Sequence, residues 1–111
     1  MTFGSYLQKL RKEQGLRQSD LAETLGVSTV YICDIEKDRR NPPDYTKLQL
    51  IEHKLQLSPE KIDRFYDLAG QAKNGIAPDI LDYLNANPDA RKAIRQAMAH
   101  PNKYDWTSFV R

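Results

Sequence analysis

Apolar residues recur along this chain at helical spacing, and caps or breakers separate the stretches. Phe3, Leu7 and Leu10 stand at i, i+4 and i+7, one stripe of an amphipathic helix that Gly15 stops. Leu16 resumes the core after the break. Leu21 and Leu25 share a face of a second helix, which begins at Gln18 and ends at Gly26; glycine takes the left-handed cap conformation without steric cost. Val27 can plug the following turn. The Ser28 hydroxyl can cap a third helix by accepting a backbone N–H bond, with Ile32 and Ile35 as that helix's inner face. Asn41-Pro42-Pro43 cannot continue a helix. Asp44 then suits an N-cap or first turn. Leu48, Ile51 and Leu55 form the next stripe, with Tyr45 or Leu50 at its margin. Ser58-Pro59-Glu60 is a cap, a proline and an acid, and opens a fifth helix with Ile62, Phe65, Leu68 and Ala69 on its apolar face.

Residues 70–77 (GQAKNGIA) hold two glycines and an asparagine and read as a hinge. Two shorter helices are expected beyond it. Ala77-Pro78-Asp79 opens one, with Ile80, Leu81 and Leu84 as apolar positions. Asn87-Pro88-Asp89 opens the other, with Ala90, Ala93, Ile94, Ala97 and Met98, and His100-Pro101-Asn102 ends it. The tail carries Tyr104, Trp106 and Phe109 within six residues. The pattern predicts an all-α chain: a five-helix domain over residues 1–70 and a helical extension over 71–111.

The stretch from Gln18 to Arg40 organises this reading, because two short helices around a tight turn have the shape of a helix-turn-helix. The outer face of its second helix carries Thr29, Val30, Cys33 and Asp34, with Ser28 at the edge. A helix placed in the major groove presents such residues to base edges. Leu10-Arg11, Gly15-Leu16, Gln18, Leu21-Ala22, Leu25-Gly26-Val27-Ser28, Ile32, Ile35-Glu36 and Arg40 with Pro42 all stand in one register. In this set the run from Leu7 to Pro42 resembles the Cro/C1-type (XRE-like) helix-turn-helix family of phage and bacterial repressors. The resemblance implies a five-helix lambda-repressor-like DNA-binding domain.

It also implies roles. Gln18 matches the residue whose amide and backbone N–H hold a phosphate, as helix N-termini readily do. Arg17 stands where the family usually has a Ser or Asn cap, so this helix start is capped less well, although Asp20 suits the dipole. Arg11 and Glu36 match a largely buried ion pair that ties the first helix to the reading helix, a structural role.

The residues add their own chemistry. Thr29 can hydrogen-bond a base and place its methyl on thymine, Val30 can only make apolar contact, and Asp34 can accept from a cytosine amine while repelling nearby phosphates. None makes the bidentate pairs of Arg, Asn or Gln, so DNA shape is expected to share in specificity. Lys37, Arg39 and Arg40, with Arg17 in front, are the expected phosphate neutralisers. Tyr31 is read either as half-buried at the helix edge or as reaching a phosphate through its hydroxyl.

Bulk charge adds little: the 111 residues carry a net +2, and residues 1–57 hold nine basic and eight acidic side chains. The case for nucleic acid therefore rests on placement. Cys33 is the single cysteine, which excludes an internal disulfide, and with His53 and His100 it gives no metal-ligand spacing. No paired carboxylates, nucleophile constellation or glycine-rich phosphate loop can be argued, so no catalytic residue, metal or cofactor is expected. No apolar run approaches a membrane span and the N-terminus lacks a signal-peptide core, which favours the cytoplasm and argues against a membrane partner. The expectation is a homodimeric repressor bound to double-stranded DNA. Two alternatives stay open: an antitoxin whose C-terminal segment also binds a toxin, and a protein-binding adaptor that does not bind DNA.

Overall fold

The computed structural model describes residues 1–110. Its regular elements are all helical: α1 (Phe3–Glu13), α2 (Gln18–Leu25), α3 (Thr29–Glu36), α4 (Tyr45–Leu55), α5 (Pro59–Gln71), α6 (Pro78–Ala86) and α7 (Pro88–Ala99), followed by two short 3-10 turns. The chain divides into two compact units, Met1–Asp79 and a second beginning at Ile80. No helix among the described residues is long and apolar enough to cross a membrane.

In the first unit α2 packs on α3 and α4, and α1 packs on α3 and α5. Leu7, Leu21, Ile32, Leu48, Ile51, Leu55 and Phe65 are fully buried where these helices meet. Phe65 sits against Phe3 (ring centroids 5.2 Å apart) and edge-on to Tyr66 (5.2 Å). Tyr6 and Tyr66 also belong to this core. Ala77 packs into it too, so the chain leaving α5 folds back over residues 70–77, with the Gly75 N–H bonded to the Gly70 carbonyl at 2.9 Å.

Local chemistry sets the helix ends. Ser28 accepts from the Tyr31 N–H (3.1 Å) and Asp44 from the Lys47 N–H (3.1 Å), each satisfying a first-turn donor. Gly26 closes α2 at φ 68° with open space around the missing Cβ, so the backbone angle alone calls for glycine there. α5 and α7 start at the expected prolines, but neither Ser58 nor Asn87 makes the expected side-chain cap bond. Asn87 instead donates its amide back to the Tyr83 carbonyl, 2.6 Å away.

That bond belongs to the second unit, where the end of α6 is held by side chains. Arg91 donates to the Leu84 and Asn85 carbonyls at 2.7 and 3.0 Å, closing two of the orphan acceptors that every helix C-terminus leaves. In the tail Tyr104 stacks on Trp106 and Trp106 leans on Phe109. Leu81, Tyr83, Met98, Trp106 and Phe109 are exposed.

The buried Tyr66 hydroxyl donates to the Glu52 carboxylate at 2.9 Å. Burial first, then the Glu52 acceptor, pushes the phenol above the ordinary tyrosine range. A folded-state pKa above the unfolded one stabilises the fold fully below about pH 10, and this contribution is lost as pH rises through the folded value. Tyr66→Phe is therefore expected to cost about 1 kcal/mol near neutrality and to flatten the loss of stability above about pH 10. Urea midpoints over an alkaline pH series check it. Parallel curves for the two proteins would contradict the assignment.

Candidate nucleic-acid interface

The turn between α2 and α3 sets the angle at which the second helix is presented. After Gly26, the Val27 N–H returns to the Ala22 carbonyl (3.0 Å), and the half-buried Val27 side chain packs against the core. Ile32 and Ile35 face inward, fully or almost fully buried. The opposite side of α3 follows by helical geometry. Thr29 and Val30 lie exposed there, Val30 at 68%, with Ser28 exposed at the start of the helix. Cys33 and Asp34, one turn further on, are half-buried. The five candidate base readers thus share one face and its edge.

Behind this face lies an ion pair. The Arg11 guanidinium meets Glu36 twice, Nε to Oε2 at 2.7 Å and Nη2 to Oε1 at 3.0 Å. Its Nη1 donates to the Leu16 carbonyl at 2.8 Å, so the same side chain also holds the turn between α1 and α2. Arg11 and Glu36 are both buried, in keeping with a structural pair and not a surface contact. Glu36 Oε1 also accepts from the Gln18 amide at 3.0 Å. A carboxylate can only accept, so the nitrogen end of Gln18 must face inward, with one N–H left over.

Gln18 opens α2, whose first-turn N–H groups are free of side-chain caps on the Arg17 side, since a guanidinium has no acceptor. Asp20 compensates from within the helix: its carboxylate accepts the Arg17 N–H at 2.7 Å and meets the Arg17 guanidinium at 3.4 Å. That backbone bond, then the side-chain bond, lowers the Asp20 pKa below the usual carboxylate range. Arg17 itself remains exposed.

On the far side, Lys37, Arg39 and Arg40 are exposed on the segment leaving α3. The Arg40 guanidinium lies over the Tyr31 ring, 4.7 Å from its centroid. Tyr31 is half-buried and packs against the core.

Asp38 is a further residue here, one that the sequence pattern does not single out. It adopts φ 59°, and its carboxylate accepts from the Thr2 hydroxyl (2.7 Å) and the Gly4 N–H (3.2 Å). The residue that turns the chain after α3 therefore also caps α1. An aspartate in a turn was a weak signal for this, and its partners lie 34 and 36 residues away.

The helix-turn-helix family model matches residues 7–62, half of the chain. The chain belongs to that family. The fold expected from the repressor-like residues, five helices with a helical extension, is the one this helix-turn-helix protein has. It is 48% identical over 42 residues to the immunity repressor protein of Bacillus phage phi105, covering 38% of this chain and 29% of that one. It is 32% identical over 82 residues to the HTH-type transcriptional regulator DdrOP3 of Deinococcus deserti, covering 74% of this chain and 63% of the regulator. The matched region thus spans less than two thirds of either relative. A crystal structure of SinR, the master regulator for biofilm formation, in complex with DNA aligns with 53% of this chain and 97% of its own, at 30% identity and a TM-score of 0.46.

Proposed function

We propose that this helix-turn-helix protein is a sequence-specific DNA-binding transcriptional regulator that acts as a homodimeric repressor in the cytoplasm. The observation that carries the reading is the outer face of α3. Thr29 and Val30 stand exposed opposite buried Ile32 and Ile35, with Gln18 near one edge and Arg39 and Arg40 beyond the other. In this reading Ser28, Thr29, Val30, Cys33 and Asp34 meet base edges. Gln18, Arg17, Lys37, Arg39 and Arg40 meet phosphates, with Tyr31 at their side. Two relatives are named as a repressor and a transcriptional regulator, which supports the assignment. The reading domain would extend to Asp79, since Ala77 packs into its core, and the helical segment beyond it would serve dimerisation or bind a partner; no catalytic group is required.

Selection from a pool of random duplexes, read by sequencing, tests this. An enriched palindrome is expected, since two copies reading half-sites about one helical turn apart impose two-fold symmetry. No enrichment, with binding absent even at low salt, would overturn the DNA reading in favour of a protein-binding adaptor. A partner toxin that co-purifies and relieves binding would move it to the antitoxin class.

Within the selected site, the two kinds of contact are expected to separate. Replacing Thr29 or Val30 should change which sequences bind, by about 1–3 kcal/mol per affected base pair. Arg40→Ala should weaken all duplexes alike and lower the salt slope by about one. A changed sequence preference in Arg40→Ala, or an unchanged one in both α3 variants, would contradict the placement.

A further inference from the structure

We propose that Tyr31 serves DNA binding through its ring and not its hydroxyl: it is a positioning residue that holds the Arg40 guanidinium ready for a phosphate. The proposal rests on the DNA-binding reading above and adds a role that the exposed face of α3 does not supply.

The backbone around both residues is fixed. Ser28 accepts the Tyr31 N–H at 3.1 Å, which sets the first turn of α3, and the ring packs half-buried against the core. After α3, the Asp38 N–H returns to the Ile35 carbonyl (3.1 Å) and the Arg39 N–H to the Asp34 carbonyl (2.8 Å). Pro42 and Pro43 are buried just beyond Arg40. What remains free is the Arg40 side chain, a long chain with much rotamer freedom to lose on contact.

The ring removes part of that freedom beforehand. With its carbon 4.7 Å from the Tyr31 centroid, the guanidinium is in cation–π contact. Such contact draws on the face of the ring and gives the guanidinium N–H groups no conventional acceptor. Arg40 makes no hydrogen bond or ion pair among the described residues, so these donors have no protein acceptor to leave. A phosphate, which accepts two parallel N–H bonds from a guanidinium fork, is the partner this arrangement suits. The other candidate phosphate donors are held differently. Arg17 is tied to Asp20, and Lys37 and Arg39 are exposed with no ring beneath them among the described residues.

The test measures binding of a fluorescein-labelled pool of short random duplexes by anisotropy over a potassium chloride series. Tyr31→Phe keeps the ring and should bind within about twofold of the unaltered protein, while Tyr31→Leu should bind about three- to tenfold more weakly. In the Arg40→Ala background, Tyr31→Leu should change binding by less than about twofold, because the two residues act as one unit. Equal losses in Tyr31→Phe and Tyr31→Leu would assign the effect to the hydroxyl and overturn the proposal. Full additivity with Arg40→Ala would overturn it as well, as would unchanged binding in Tyr31→Leu.

A second measurement needs neither a leucine variant that folds nor any DNA. In the unaltered chain and in Tyr31→Phe, the Arg40 δ-protons should be shifted upfield by the ring current in the proton NMR spectrum. Unshifted resonances would sink the stacking even where DNA binding stands. An unaltered protein that shows the ring-current shift but binds no duplex at low salt would remove the DNA reading, and with it this role for Tyr31.

Discussion

Arg11→Met is expected to destabilise the fold by about 3–5 kcal/mol, a large part of what a domain of this size has. The reason lies less in the attraction lost than in the charge left behind. The Glu36 side chain is 1% exposed, and Arg11 supplies two of its three hydrogen bonds among the described residues. Methionine fills much of the same volume but donates nothing, so the carboxylate keeps only the Gln18 amide. The Leu16 carbonyl loses its donor in the same step. Exposed pairs here behave otherwise: Lys61 and Glu13, 3.4 Å apart at the surface, should contribute at most about 1 kcal/mol.

A second substitution separates the two explanations. Arg11→Met combined with Glu36→Leu removes both charges, and well-packed apolar replacements of a buried pair are often neutral. The double variant should therefore regain most of the stability that Arg11→Met loses, as read from urea midpoints. Its DNA binding should stay weakened, because Gln18 no longer has the acceptor that orients it. A loss of less than about 1 kcal/mol in Arg11→Met, or no recovery in the double variant, would show that the pair is not a closed buried unit.

Gly4→Ala is expected to cost at least about 3 kcal/mol, at or above the upper end for adding a methyl to a packed site. A Cβ at Gly4 would land on the Ile35 carbonyl oxygen, 2.7 Å from the Glu36 carbonyl oxygen and 2.6 Å from an Asp38 carboxylate oxygen. Two of these three atoms are backbone and cannot rotate away. α1 would have to withdraw from the end of α3, stretching the Gly4 N–H bond to Asp38 and the packing of Phe3 on Phe65. Gly15→Ala is the control. Gly15 has φ 68° and nothing within 4 Å of an added Cβ, so alanine there meets only left-handed strain of about 1–2 kcal/mol. Equal midpoints for the two variants would mean that α1 and α3 do not approach as closely as described.

Much of the fold could be read from the chain because helical stripes are local. Phe3, Leu7 and Leu10, then Leu21 and Leu25, then Ile32 and Ile35, declare their inner faces within a few residues, and all are buried. Tyr6 and Tyr66 lie on these stripes too, with a weaker signal. Tyr6 lies three after Phe3 and four before Leu10, on the same stripe, and Tyr66 lies four after Ile62 and three before Ala69. Tyrosine is ambiguous in a pattern of this kind, since its hydroxyl needs a partner when buried and only the fold reveals whether one exists. For Tyr66 that partner is Glu52.

The candidate interface divides in the same way. The face made by Thr29, Val30, Cys33 and Asp34 follows from the period of one helix and the cap at Ser28. The inward turn of Gln18 to Glu36, the capping of α1 by Asp38 and the stacking of Arg40 on Tyr31 do not. Gln18 and Asp38 meet partners 18 and 34 residues away, and such pairs carry no local signal.

Hydrophobic period, caps and backbone angles act over three or four residues, so the chain alone specifies the helices, the glycine-closed turn, the repressor-like register and the outward set of α3. Helix packing alone settles which charges are buried, which donors are spent inside and which arginine lies over a tyrosine ring. Those outcomes depend on side chains that come within 3 to 5 Å only after the helices have packed.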